Sequence, residues 1–210
     1  MPGSEPPLRI GILGGTFDPP HVGHAAAARA VLEQLALDRL LLVVANDPWQ
    51  KSGERQIAPA EDRLALTEAL VAEVPGAETS RIEIDRGGPS YSVDTVEAVA
   101  AGNRAASDGR PVEIFLVVGA DLLPELGTWH RAEDLQRLVT VVVVSRPAQQ
   151  GVAGRPQAPP GWRVVRVDGP QVAVSSSEVR ELLAEGRSVA GLVPEGVIRC
   201  IGRRGLYAVP

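Results

Sequence analysis

The chain is poor in aromatic residues: two Phe, three Trp and two Tyr make up 3% of 210 residues. Few rings are available to stack on a ligand, so each one is worth locating. The single cysteine, Cys200, excludes a disulfide framework and a cysteine-based zinc site within one chain. It is compatible with a reducing cytoplasm. There is no excess of positive charge: 21 Lys and Arg stand against 26 Asp and Glu, for a net charge of −5. No basic stripe alternates with aromatics, so nucleic acid is not an expected partner. A small phosphate-rich ligand remains open, because a few local cations and backbone amides suffice for it. The longest apolar runs, near 138–144 and 112–120, are too short to cross a bilayer. The opening MPGSEPPLRIGIL lacks the cationic and apolar regions of a signal peptide. These absences lead to the expectation of a cytoplasmic, membrane-free globular protein, and 44% hydrophobic residues supply its core.

Apolar runs alternate with helical patterns. Strands are expected at Leu8–Leu13, Arg39–Ala45, Arg81–Asp85, Val112–Val118, Leu138–Val144 and Trp162–Val167. Helices are expected at Val22–Ala36, Ala60–Val74, Ser92–Ala101 (with Ser92 as N-cap), Ser177–Ala184 and Pro194–Ile201. Residues 46–59 read as a polar loop, 87–89 as a turn and 147–161 as a mobile surface loop. Strands apolar throughout, alternating with helices, predict an α/β protein: a doubly wound, mostly parallel sheet with helices on both faces. No repeat or domain boundary stands out, so 1–210 reads as one domain with a core at 8–207 and a flexible segment at 1–7. In such sheets ligands bind at the carboxyl ends of the strands. Gly14, Asn46, Gly119, Ser145 and Ser175 all follow expected strand ends, which points to one composite site.

The first chemical motif is GGTFDPPHVGH, residues 14–24, between a strand and a helix. Gly14 and Gly15 allow a tight turn and close approach of backbone to ligand. The helix N-terminus offers free N–H groups to phosphate. His21 and His24 can share one face of a helical turn and donate to phosphate oxygens. The bland alternative is a turn with a capping His. The dinucleotide fingerprint has a different glycine spacing, and the Walker A pattern needs a Gly-Lys-Ser/Thr that is missing. A metal site on the histidines is not expected: the one other histidine is His130, and carboxylates would be needed as well.

The second motif is SSSEVR, residues 175–180. Ser175, Ser176 or Ser177 can cap a helix and leave amides for a ligand, while Arg180 adds a charged contact. Alone it reads as a capped helix; with the first motif it reads as a second phosphate cradle. Tyr91 and Trp129 are two of the five Tyr and Trp residues. Each reads equally as a stacking platform and as a loop anchor. The carboxylate pairs Glu61-Asp62 and Glu133-Asp134 stand where helices begin, which fits dipole complementation better than catalysis.

Together these motifs resemble the signatures of the nucleotidyltransferase superfamily with the His-x-Gly-His element, whose fold is Rossmann-like. Within it the chain most resembles bacterial nicotinate-nucleotide adenylyltransferases, from Leu8 to about Tyr207. The likeness also runs through AEDRLAL (60–66), PSYSVDT (89–95), VVGADLLPELGTWHRAEDL (117–135), VSRP (144–147) and LVPEGVIRCI (192–201). One segment departs. The common family form of the loop after the second strand is Pro-Asn-x-x-Pro-Pro-His-Lys, whereas this chain reads ANDPWQK at 45–51. Lys51 survives as a phosphate contact, and Gln50 replaces the histidine.

The resemblance implies transfer of AMP from ATP to nicotinate mononucleotide, giving nicotinate adenine dinucleotide and pyrophosphate in NAD biosynthesis. It implies His21, His24, Lys51 and Arg180 as catalytic contacts to phosphate. Gly14, Gly15, Thr16, Phe17, Gly23, Gly119, Asp121, Ser145 and Ser175–Ser177 would bind ATP, with Asp121 on ribose hydroxyls. Asn46, Tyr91, Ser92, Thr95, Trp129, Arg131 and Arg146 would bind the second substrate. Trp129 would stack on the nicotinate, and the Tyr91–Thr95 segment would hold its carboxylate. Mg²⁺ would arrive with ATP rather than in a protein cage, and a homo-oligomer is a family-level expectation. Adenylyl transfer to phosphopantetheine, cytidylyl transfer, a nicotinamide preference and a non-catalytic nucleotide sensor are the alternatives.

Overall fold

Runs of Val, Leu and Ile that would expose apolar surface on either face become the inner strands of one sheet. The computed structural model describes residues 5–47, 57–107, 109–145, 156–169 and 172–207. Its strands are β1 (Leu8–Gly15), β2 (Arg39–Val44), β3 (Ala77–Ser80), β4 (Val112–Val118), β5 (Val139–Ser145) and β6 (Val164–Asp168). They lie in the order β3-β2-β1-β4-β5-β6, and every neighbouring pair is parallel. The expected doubly wound α/β sheet is therefore present.

Its helices are α1 (Val22–Gln34), α2 (Ala60–Val71), α3 (Ile82–Arg86), α4 (Ser92–Ala106), a 3₁₀ helix (Ala120–Thr128), α5 (Ala132–Leu138), α6 (Ser176–Ala184) and α7 (Glu195–Arg204). Side chains alternate across a strand, and β2 shows the consequence. Leu40, Leu42 and Val44 pack in a core with Val31 of α1, Leu66 of α2, Val179 of α6 and Val197 of α7. Leu41 and Val43 pack on the other face with Val96 of α4, Leu135 of α5 and Leu126 of the 3₁₀ helix. Each such fully buried side chain stabilises the fold by about 1.5–3 kcal/mol. The chain winds outward from β1 through β2 and β3, then crosses back to β4 beside β1. That reversal opens a crevice at the carboxyl ends of β1 and β4. Among the described residues no helix is long and apolar enough to cross a membrane.

Several local expectations differ from the structure. Arg81–Asp85 is not a strand: β3 ends at Ser80 and the segment coils into α3. Ile82 and Ile84, whose alternation suggested a strand, pack into different cores. The Arg81 carbonyl accepts the Asp85 N–H at 2.9 Å, and their side chains pair at 2.8 Å, a helical i,i+4 link. Ser92 is the first helical residue rather than the cap; the extended N-cap is Tyr91, and α4 runs on to Ala106. The 3₁₀ helix was not anticipated; the helix expected to begin near Glu133-Asp134 is α5, and Leu138 ends it instead of opening β5. Of the expected flexible segment, residues 1–4 lie outside the described residues, and Pro6 accepts a hydrogen bond from Arg110 at 3.0 Å. Residues 147–155 of the expected mobile loop also lie outside them.

Leu42 is wholly buried in the middle of the sheet. Replacing it with Ala should lower the unfolding free energy by about 2–5 kcal/mol in urea titration. A loss below about 1 kcal/mol would contradict the close packing described for this face.

Candidate active site

The turn between β1 and α1 is built from a left-handed Phe17 (φ 50°) and a cis Asp18–Pro19 peptide. The Phe17 ring folds over Gly15, where a Cβ would lie 2.9 Å from it. A non-glycine residue in the left-handed region is strained and persists only where its surroundings hold it. Here α6 holds the turn. Ser176 Oγ donates to the Pro19 carbonyl at 2.9 Å, and Arg180 Nη1 donates to the Asp18 carbonyl at 2.5 Å. Two motifs more than 150 residues apart thus form one cluster. Ser175 caps α6, its hydroxyl accepting the Glu178 N–H at 3.2 Å. Arg180 also donates to Ser177 Oγ at 2.9 Å.

His21 is the N-cap of α1 and His24 lies one turn in. Their ring centroids are 3.8 Å apart, and the Phe17 ring meets His24 edge-on at 5.1 Å. His24 Nδ1 accepts the His21 backbone N–H at 3.2 Å. That bond fixes the neutral His24 proton on Nε2 and makes Nε2 the donor. His21 is buried, its Nδ1 has no partner among the described residues, and desolvation lowers its pKa to about 4. It is therefore a neutral imidazole at pH 7. At Gly23 a Cβ would come within 3.0 Å of the His21 ring, so a larger residue would crowd it.

The crevice at the strand ends holds a cavity of about 480 Å³. Gly14, Gly15 and Thr16 after β1, Gly119 and Asp121 after β4, and Ser90, Ser92 and Trp129 line it. Gly14 faces open space, while a Cβ at Gly119 would lie 2.4 Å from Asp121 Oδ1, so the Asp121 carboxylate lies over that glycine. A second cavity of about 450 Å³ adjoins the first along Ser90, Ser92, Leu122 and Trp129, and adds Tyr91 and His130. Tyr91 stacks on His130 with centroids 4.3 Å apart. The Trp129 Nε1 is buried without a partner among the described residues. The turn held by α6 thus shares Thr16 with a two-chambered cavity whose second chamber carries Trp and Tyr rings.

Residues 12–182 match the cytidylyltransferase-like family. The chain is 41% identical, over 95% of its length and 94% of the relative, to a probable nicotinate-nucleotide adenylyltransferase of Acidothermus cellulolyticus. Identity to the probable enzyme of the same name from Thermus thermophilus is 42%, over 95% of this chain and all of that one. The chain belongs to the nicotinate-nucleotide adenylyltransferase family. The fold agrees with that of Plasmodium falciparum nicotinic acid mononucleotide adenylyltransferase complexed with NaAD. That match has a TM-score of 0.71 at 14% identity and covers 95% of this chain and 97% of the other.

Not every residue expected in the site of a nicotinate-nucleotide adenylyltransferase faces a cavity. Thr95 is buried, its hydroxyl donating to Glu83 at 2.6 Å. Arg131 lines neither cavity: it pairs with Glu97 at 2.6 Å, Asp134 at 2.8 Å and Asp94 at 3.5 Å. The hydrogen bond that Arg131 donates to Glu97, then that to Asp134, raises its pKa further. Arg131 ties the Trp129 turn to α4, so it links the two walls of the second cavity. Asn46 bridges loops, its N–H donating to Ser90 Oγ at 3.1 Å and Nδ2 to the Gly88 carbonyl at 3.2 Å. Ser145 is buried, and its carbonyl accepts the Gly169 N–H at 2.9 Å. Lys51 and Arg146 lie outside the described residues.

Three residues of this neighbourhood were not singled out from the sequence. Arg63 of α2 is 2% exposed. It donates to the carbonyls of Ala58, Thr16, Ala45 and Asn46 at 2.7–3.2 Å. Asp18, 1% exposed, accepts the Tyr207 hydroxyl at 2.7 Å and the Ala58 N–H at 3.3 Å. Burial, then the nearby Asp18 charge, raises the Tyr207 pKa, so Tyr207 stays a donor. A readable signal existed for Arg63: it shares a helical face with Leu66, Thr67 and Leu70, all buried. A charge inside an apolar stripe calls for a buried set of partners.

Burial of neutral His21 makes stability depend on pH. Between its ordinary value of 6.5 and about 4 the unfolded chain binds a proton that the folded one refuses. The unfolded state binds more protons there, so stability falls as pH drops through that window, by up to about 3 kcal/mol. Urea midpoints measured from pH 7 to pH 4 should therefore fall more steeply for the wild type than for His21→Gln. Equal slopes in the two proteins would remove His21 as the cause.

Proposed function

We infer that this protein transfers AMP from ATP to nicotinate mononucleotide, forming nicotinate adenine dinucleotide and pyrophosphate. The observation that carries this reading is the docking of α6 on the β1–α1 turn, which joins both phosphate motifs beside the ring-lined cavity. A phosphate oxygen of the mononucleotide attacks the α-phosphorus of ATP in line. A new P–O bond forms, the bond to the bridging oxygen of the β-phosphate breaks, and pyrophosphate leaves with that electron pair. A phosphate monoester is already a nucleophile at pH 7, so the protein need not remove a proton. Its contribution is positioning and stabilisation of developing charge.

Each residue has a role in that scheme. His24 Nε2–H donates to the triphosphate. His21 is neutral in the free protein, and an arriving phosphate raises its affinity for a proton. The N-terminus of α6 and Arg180 form the second side of the phosphate cradle. Lys51 and Arg146 are further phosphate cations. Gly14 and Gly15 let the ATP backbone approach β1, and Gly119 with Asp121 receives its ribose. Trp129 and Tyr91 accept the pyridine ring, and the N-terminus of α4, with Ser92, attracts its carboxylate. Mg²⁺ would come with ATP as part of the substrate and would neutralise phosphate charge, without a dedicated protein cage. The enzyme acts in the cytoplasm as a homo-oligomer of single-domain chains, without nucleic acid.

The test is pyrophosphate release from Mg·ATP with nicotinate mononucleotide, nicotinamide mononucleotide or phosphopantetheine supplied separately. Strong release with the first alone is expected. Release only with phosphopantetheine would overturn the reading of Tyr91 and Trp129, and ATP binding without release would mark a sensor. Replacing His24 by Ala should lower kcat by about 10²–10³-fold. Loss of its capping bond should shift the unfolding free energy by only about 1 kcal/mol. Turnover close to wild type in that variant would reject His24 as a catalytic contact.

A further inference from the structure

Glu83 is a carboxylate that the scheme above leaves unused. It lies in α3, is 7% exposed, and lines the first cavity. Thr95 donates its hydroxyl proton to Glu83 Oε1 at 2.6 Å. Both terminal nitrogens of Arg86 donate to the same Thr95 oxygen at 3.2 Å. A hydroxyl has one proton to give. With Arg86 on its lone pairs, that proton is directed to Glu83. The relay Arg86–Thr95–Glu83 therefore fixes the carboxylate in place, and Thr95 has no proton left for a substrate. Glu83 Oε2 has no hydrogen-bond partner among the described residues. Because Glu83 lines the cavity, that oxygen is open to a donor that arrives with a ligand.

The ligand's chemistry narrows what that donor can be. Nicotinate mononucleotide carries two anionic groups, a ring without N–H, and two ribose hydroxyls. Only the hydroxyls can donate to a carboxylate. Resting on the reaction inferred above, we propose that Glu83 is a substrate-binding residue that accepts a ribose hydroxyl of nicotinate mononucleotide. Glu83 shares its cavity wall with Ser90 and Ser92, which also line the second cavity beside Tyr91 and Trp129. The first cavity, which Glu83 lines together with Gly119 and Asp121, joins the second along these two serines. Thr95 and Arg86 act through Glu83 and are positioning residues.

The experiment measures kcat/KM for the wild type and Glu83→Gln with nicotinate mononucleotide and its 2′-deoxy and 3′-deoxy analogues. Parallel reactions use 2′-deoxy and 3′-deoxy ATP with the unmodified mononucleotide. In the wild type, one deoxy mononucleotide should lose about tenfold or more, the range of a hydrogen bond to a charged acceptor. In Glu83→Gln that loss should shrink to about threefold or less, and the change in ATP sugar should cost both proteins equally. Should Glu83→Gln fail to fold, Thr95→Val tests the same acceptor and is expected to raise KM for the mononucleotide with kcat little changed. Wild-type turnover without a deoxy penalty, an equal penalty in both proteins, or a penalty confined to the ATP sugar would each overturn the proposal. No turnover of unmodified nicotinate mononucleotide by the wild type would instead overturn the inferred reaction.

Discussion

The buried guanidinium of Arg63 holds together the segments that leave β1 and β2 at the mouth of the crevice. Its Nε and both terminal nitrogens reach carbonyls on either side: Thr16 from the first motif, Ala45 and Asn46 after β2, and Ala58 where the following loop returns. A charge buried this deeply is tolerated because its hydrogen bonds are made and an opposite charge is near. Asp18 supplies that charge, opposing the effect of burial on Arg63. A lysine could not replace it, since an ammonium has three donors on a narrow point and no planar fork. Through this one side chain the β1–α1 turn, Ala45 and Asn46 after β2, and Ala58 before α2 are tied together.

Asp18 extends the same constraint to the far end of the chain. Tyr207 donates to its carboxylate, and Arg180 donates to its main-chain carbonyl while standing 4.0 Å from its carboxylate. The residues after α7, the N-terminal turn of α6 and the strained Phe17 turn therefore meet at one buried acid. This explains how a left-handed Phe17 is held without a glycine: it is pinned from both neighbouring helices, and its ring packs in the core. Preorganisation of this kind is what a reaction without an obligatory protein base demands. The protein's work is then done by fixed donors and fixed geometry rather than by proton shuttling.

The Gly-Gly turn, the histidine pair and the capped helix were legible because their geometry is local. Gly-Gly after an apolar run, histidines one turn apart and serines before a helix each describe a backbone shape within a few residues. The four inner strands were legible for the same reason: Arg39–Val44 and Val112–Val118 are too apolar to face water on either side. Arg81–Asp85 misled because five residues with two isoleucines carry no periodicity that separates a strand from one helical turn. The roles of Thr95 and Arg131 were open for another reason. A threonine or arginine near a site looks the same in sequence whether its donors face a ligand or a carboxylate on the next helix. Only the positions of Glu83 and of Glu97 decide between these outcomes.

By itself the sequence determined the fold class and, through the resemblance its motifs carry, the reaction family, since periodicity and short motifs are properties of neighbouring residues. The tertiary structure alone decided that Ser176 and Arg180 close on Pro19 and Asp18, that Arg63 is a buried tie, and that Glu83 stands at the cavity wall. These are contacts between residues far apart in the chain. Their energies depend on burial and on which donor finds which acceptor, and no short window of sequence contains either quantity.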